Sequence, residues 1–319
     1  FFARPYTAVL FASPFIAHAG WRMWTGDLDV IVQNGLIAGV GLVGVGLTLG
    51  YNAAMTGSPW LFPYQAFAPL DGLGFGRREI LAHDVDYTLE LALRSNQRVA
   101  TQFFTEWIAG GLVGLGVAIY GIGHTIRRGL SAREAVLGGL FASVLLGNLY
   151  FWGNFNILGD ITRPGDGLIA VLGPYYHFDL LLPTATFAAV GIAAIVERLG
   201  QLVALRTRVS SPRLVATLAV VLLIVGSGGV VTAQHLDDRV GENMDATAVY
   251  EVAYEPFDGG PPSNALVFLP TPYGDWLNHP FQPLRNEPGF DGQTVYAIDE
   301  RPFDLIETYP DRRLFRYTY

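Results

Sequence analysis

The chain has 319 residues, 51% of them hydrophobic and only 15% charged, and its mean hydropathy of +0.33 is too high for an ordinary soluble domain. It contains no cysteine, which excludes disulfide frameworks and thiolate metal sites, and all 20 of its basic residues are arginine. The net charge of −8 is uneven: from Asp237 onward there are 15 acids and 6 arginines, against 13 acids and 14 arginines before it. A salt-adapted proteome or an ordinary acidic surface would each produce such a tail. The opening "FFARPYTAVLFASPF" has no charged n-region followed by a small-residue cleavage site, so the chain reads as the later portion of a longer protein.

Six segments predict membrane spans by length and apolarity: 6–21, 35–54, 102–123, 135–152, 176–196 and 213–233. The last, "RLVATLAVVLLIVGSGGVVTA", would be about 31 Å long as a helix, matching a hydrocarbon core of about 30 Å. The short connections carry Arg127, Arg128 and Arg133, and Arg198, Arg206, Arg208 and Arg213, which assigns both to the cytoplasmic side. Alternation then puts structured outer loops at 51–101 and 153–175, and the tail from 234, on the opposite face. Arg77, Arg78, Arg94 and Arg98 lie in the first of those loops and weaken the bias.

Within that loop, "HDVDYTLELALRSNQRVATQFFTEW" has helical spacing, with Tyr87, Leu91, Arg94 and Arg98 near one another, and predicts an interfacial helix feeding the next span. Glu106, one turn inside that span, is expected to pair with Arg98 or Arg94. In the tail, "NALVFLP", "TVYAID" and "RRLFRYTY" read as strands and "RPFDLIETYP" as a short helix. The fold class is therefore a mainly α, polytopic helical bundle over residues 1–233, followed by a small α/β module over 234–319.

The stretch "YNAAMTGSPWLFPYQAFAPLDGLGFG", with "RPYTAVLFASPF" before it and "GPYYHFDLLLP" after it, resembles the later half of GT-C glycosyltransferases of family 39. That group includes dolichyl-phosphate-mannose protein mannosyltransferases and aminoarabinose transferases. The ending from "NALVFLPTPYGDW" is similar to the short outer domain that closes many such chains, archaeal ones particularly. The resemblance implies a polyprenyl-phosphate-linked sugar as donor, a protein or glycolipid as acceptor, and a catalytic acid upstream of Phe1. Many relatives read Gly-Pro-Arg-Tyr where this chain has Gly173, Pro174, Tyr175 and Tyr176, so an arginine available for phosphate is missing at Tyr175: either the donor differs, or Arg77, Arg78 or Arg163 takes its place, or the protein is a non-catalytic relative.

A lipid-linked sugar keeps its phosphate at the membrane surface, where cations and aromatic walls would meet it. Arg77, Arg78 and Arg163, with Tyr64, Tyr175 and Tyr176, are the candidates for the donor's phosphate and lipid. Trp60, Phe62, Phe67 and Phe75 could line the same groove, or form an aromatic belt with a basic anchor. His83, Asp84 and Asp86 are weak catalytic candidates, able to deprotonate an acceptor or simply to start a helix. Asp71, followed by glycine, reads as turn chemistry. His177 and Asp179, an ionisable pair at the edge of a span, form a candidate polar site. Trp276, within "TPYGDWLNHP", stands with Tyr273, Asp275, Asn278 and His279 in a mixture suited to carbohydrate or to loop packing.

No P-loop, dinucleotide fingerprint, Ser-His-Asp pattern or zinc spacing occurs, no cofactor is firmly implied, a divalent cation stays open, and nothing indicates nucleic acid. The glycosyltransferase reading competes with a non-catalytic scaffold of the same fold and with a transporter or flippase-like carrier. Against the carrier, no inverted repeat is visible.

Overall fold

The computed structural model describes residues 5–80, 83–159, 167–252, 260–269, 284–299 and 302–317. It is mostly helical. In chain order the elements are α1 (Pro5–Thr25), α2 (Leu28–Thr56), α3 (Pro63–Phe67), β1 (Gly76–Ile80), β2 (His83–Tyr87) and α4 (Leu89–Gln102). A π-turn (Phe103–Trp107) leads to α5 (Gly111–Arg128), α6 (Ala132–Gly147) and a 3₁₀ turn (Asn148–Tyr150). Then come α7 (Gly153–Asn156), α8 (Leu168–Leu172), a second 3₁₀ turn (Tyr175–Leu180), α9 (Leu181–Arg206) and α10 (Pro212–Val252). The last elements are β3 (Ala265–Leu269), β4 (Thr294–Ile298), α11 (Pro302–Thr308) and β5 (Arg313–Arg316). Two compact units divide the chain: Phe1–Arg78 with Val85–Asp237, and Glu79–Asp84 with Asp238–Tyr319.

Among the described residues, four helical segments are long and apolar enough to cross a membrane: Leu28–Thr56, Ala132–Tyr150, Leu168–Arg206 and Pro212–Asp245. Two of the six expected spans need correction. Residues 6–21 form part of α1 but are not among the segments that pass on length and hydropathy. Residues 102–123 are not one straight helix: Leu89–Trp107 and Gly111–Arg128 meet at 101° and qualify as a span only together. The break has a local cause. Ile108 is extended, and Gly110 and Gly111 both take positive φ (79° and 53°), a backbone that ends one helix before the next starts.

The first unit has two unlike ends. Tyr6 donates to the Gly147 carbonyl at 2.7 Å while Pro14 lies against Gly139, so α1 and α6 run antiparallel. Both α5 and α9 begin beside the Trp107–Phe178 ring contact and run in one direction. They cross where Gly121 and Gly191 bring the two backbones together, the small-residue contact that compensates for the absence of a hydrophobic driving force in lipid. The α10 helix returns antiparallel to α9, with Gly200 against Arg213 and Gly110 against Ser227. Among the described residues of this unit, one end of the bundle therefore carries the short turns 26–27, 129–131 and 207–211. At the middle turn Ser131 and Glu134 form a capping box, and Glu134 also receives Arg128. The longer connection from α6 to α9 leaves and rejoins the bundle at the other end.

In the second unit β3 is the centre of a parallel sheet of order β4-β3-β5, and all five of its residues are buried. A parallel strand needs cover on both faces, and the alternation supplies it. Ala265, Val267 and Leu269 pack with Tyr296 and Tyr317 on one side, while Leu266 and Phe268 pack with Val295 and with Leu305, Ile306 and Tyr309 of the α11 region on the other. The β4 edge is closed by one side chain. Asn286 donates from Nδ2 to the Tyr296 carbonyl and accepts the Tyr296 N–H, both at 2.7 Å, taking the place of a neighbouring strand.

Candidate functional site

The loop after α2 is folded by the Asn-x-x-x-Thr-Gly run itself. Gly57 caps α2 at φ 78°, Asn52 Nδ2 donates to the Pro59 carbonyl at 3.1 Å, and Thr56 Oγ1 lies 3.0 Å from the Leu61 carbonyl. The distinctive motif is thus a device for leaving the span. It delivers Tyr64 on α3 and the turn closed by the Asp71 N–H on the Ala68 carbonyl.

Asp71 does more than turn the chain. Its two carboxylate oxygens accept from the Tyr64 hydroxyl and from the indole N–H of Trp152, which is fully buried. Burial pushes the Asp71 carboxyl above the usual carboxylate range, opposed by those two bonds and by Arg78. Burial, then the Asp71 bond, raises the Tyr64 phenol. Tyr87, expected on the interfacial helix, instead closes β2. The Thr88 side chain caps α4, and the buried Tyr87 hydroxyl donates to the Leu149 carbonyl at 3.2 Å; burial lifts its pKa to about 12.

Aromatic rings continue around this carboxylate. Phe75 stacks on Tyr87 at 5.8 Å and meets Tyr150 edge-on at 5.7 Å. Phe151 lies between Tyr6 (5.6 Å) and Tyr176 (4.7 Å), and Tyr175 and Tyr176 pack at 4.0 Å with their hydroxyls 2.6 Å apart. Tyr64 and Tyr150 are each half exposed, so ring faces remain open to the surroundings.

Beneath the rings is a buried polar knot. Asn96 donates to the Leu145 carbonyl at 3.0 Å, which turns its Oδ1 toward His177 Nε2 at 2.9 Å and Asn154 Nδ2 at 3.3 Å; Asn148 donates to the Tyr176 carbonyl. His177 therefore carries its proton on Nε2. Its Nδ1 is a buried lone pair with no partner among the described residues. The knot ties α4 to both 3₁₀ turns and to α7.

The arginines differ from expectation. Arg78 donates to the carbonyls of Gly74, Arg77, Leu73 and Phe75 at 2.7–3.1 Å, so it clamps its own loop and cannot offer a two-pronged fork to a phosphate. Arg77 stands beside it on β1. Glu106 accepts from Gln102 at 3.2 Å, and Arg94 lies 3.8 Å from Glu90, so the expected Glu106 pairing with Arg94 or Arg98 is replaced by local partners.

Of the sequence candidates, Tyr64, Tyr175, Tyr176 and His177 come together here. Asp179 sits half-buried in the same 3₁₀ turn as His177, and Trp60 is 77% exposed. Asp84 and Asp86 are exposed on β2. Arg163 and Trp276, with Tyr273, Asp275, Asn278 and His279, lie outside the described residues, as does the side chain of His83. No group of three or more metal-ligating side chains occurs among the described residues. Trp152, Asn96, Asn148 and Asn154 were not singled out from sequence; their signal is a set of polar residues at the ends of apolar runs.

A family model described only as a domain of unknown function, DUF7846, matches residues 265–319. The match begins on the first residue of β3 and takes in β4, α11 and β5. No curated protein and no solved structure matches the chain.

Proposed function

We propose that this chain is part of an integral membrane glycosyltransferase that moves a sugar from a polyprenyl-phosphate donor to a protein or glycolipid acceptor at the outer membrane face. One observation carries the reading: a carboxylate held by Tyr64 and Trp152, among partly open aromatic rings, at the loop-rich end of a bundle of membrane-length helices. A carboxylate accepts sugar hydroxyls, and ring faces stack on the apolar faces of a pyranose or furanose. Arg77, next to Arg78 on β1, would meet the donor's phosphate. The arginines in and flanking the turns at the other end, Arg127, Arg128, Arg133, Arg206, Arg208 and Arg213, support a cytoplasmic assignment for that end and an extracytoplasmic one for the site and the C-terminal module.

The test is native mass spectrometry of the full-length protein in detergent with polyprenyl phosphates bearing a hexose or pentose, followed by transfer of a radiolabelled sugar. Selective retention of one glycolipid over phosphatidylglycerol, with transfer, is the expected result. Retention of every anionic lipid alike, without transfer, would refute the enzyme and favour a scaffold.

A further inference from the structure

Among the described residues of the loop-rich end, Arg98 is an arginine that its surroundings do not use. Among the described residues Arg98 makes no ion pair or hydrogen bond, yet it is half-buried, whereas Arg78 is spent on carbonyls and Arg94 has Glu90. A guanidinium stays charged at any physiological pH, so partial burial without a counter-charge is a cost that an external anion would remove. Its helix, α4, is tied to the candidate site. Asn96, two residues before, is bonded to His177, and Val99, the next residue, packs with Ile157, Ile169, Tyr175 and Tyr176.

The setting narrows the anion. The segment bearing α4 makes 101° with the segment bearing α5, which packs along α9, so α4 lies across the bundle axis at its end. Its outer side exposes Leu89 (55%) and Leu93 (52%) beside Arg94, and Arg94 and Arg98 stand one turn apart on one face. A helix lying across the end of a membrane bundle, with leucines outward and two guanidiniums in a row, is suited to the layer where lipid phosphates sit.

We infer that Arg98, assisted by Arg94, forms a binding site for the phosphate of a lipid entering along α4. This deepens the glycosyltransferase reading and rests on it for the identity of the lipid: Arg98 would supply the phosphate contact that the residue at Tyr175 does not.

The experiment measures binding of undecaprenyl phosphate, phosphatidylglycerol and inorganic phosphate to the full-length protein in detergent, for wild type, Arg98→Gln, Arg98→Lys and Arg94→Gln. Each variant is first shown to melt and elute as wild type does. Arg98→Gln is expected to weaken lipid-phosphate binding about tenfold or more, with Arg98→Lys intermediate because it keeps the charge and loses the fork. Inorganic phosphate should bind weakly in every case, lacking the lipid's burial. If undecaprenyl phosphate and phosphatidylglycerol both bind through Arg98 equally well, the anion site stands and the donor reading falls. If Arg98→Gln holds every lipid as wild type does, the site is overturned, whatever becomes of the donor reading.

Discussion

Replacing Gly121 with alanine tests the helix crossing on which the bundle depends. A Cβ at this position would lie 1.9 Å from the Phe187 carbonyl oxygen and 2.8 Å from the Gly191 nitrogen. An ordinary close C···O contact is about 3.3 Å, so α9 must retreat by about 1.4 Å. Both obstacles are backbone, and no rotamer change relieves them. Overpacking of this kind costs about 1–3 kcal/mol, against about 0.5–1 kcal/mol that alanine gains over glycine inside a helix. Gly116 and Gly123 on the same helix supply the control, because nothing lies within 4 Å of a Cβ at either. Alanine there should be neutral or stabilising. The propensity gain is common to all three, so the two classes should differ by the overpacking cost of about 1–3 kcal/mol, or about 2–12 °C in melting temperature, read as loss of the monodisperse peak after heating in detergent. A Gly121→Ala protein that melts with Gly116→Ala would refute the close crossing.

Asn286→Ala should open the β4 edge and remove two hydrogen bonds, destabilising the C-terminal module by about 1–2 kcal/mol; faster limited proteolysis within residues 260–319 of the full chain is the readout. Asp71 has a folded pKa above its unfolded value, so its contribution to stability is fully present below the unfolded pKa and is lost as pH rises through the folded one. Melting temperatures of wild type and Asp71→Asn should accordingly shift relative to each other as pH rises above the ordinary carboxylate range, wild type losing ground, and a constant difference would contradict a half-buried, titrating carboxylate. In this cysteine-free chain, Ser263→Cys should react with an impermeant thiol reagent on intact cells and Leu130→Cys should not; the reverse pattern would invert the topology.

Helices were legible wherever composition alone decides them. Long apolar runs produced α2 and α10, and β-branched and aromatic runs bounded by Pro, Gly and Asp placed β3, β4 and β5 in order. The 101° break was not legible, since a Gly-Gly pair is common in an apolar span and only positive φ at both residues turns it into a corner. Tyr87 fitted the helical spacing, but Thr88 caps α4 one residue later and leaves the tyrosine in the strand. For Asp71 the local reading as a turn was right and insufficient: its indole partner, Trp152, is 81 residues away, a distance no local pattern spans. The Arg77-Arg78 pair looked like a single cationic tip because sequence cannot show that one guanidinium turns back onto the carbonyls of its own loop.

The unequal ends of the bundle bear on how such a protein can diversify. Turns of two, three and five residues at 26–27, 129–131 and 207–211 leave little slack, so an insertion there would pull on two helices at once. At the opposite end the connections from α2 to α4 and from α6 to α9 are long, and the second contributes His177 to the buried knot with Asn96. Descendants of one ancestral bundle can therefore exchange the rings and charges of those connections, and with them the molecule that is recognised, while the knot and the glycine crossing keep the helices in register.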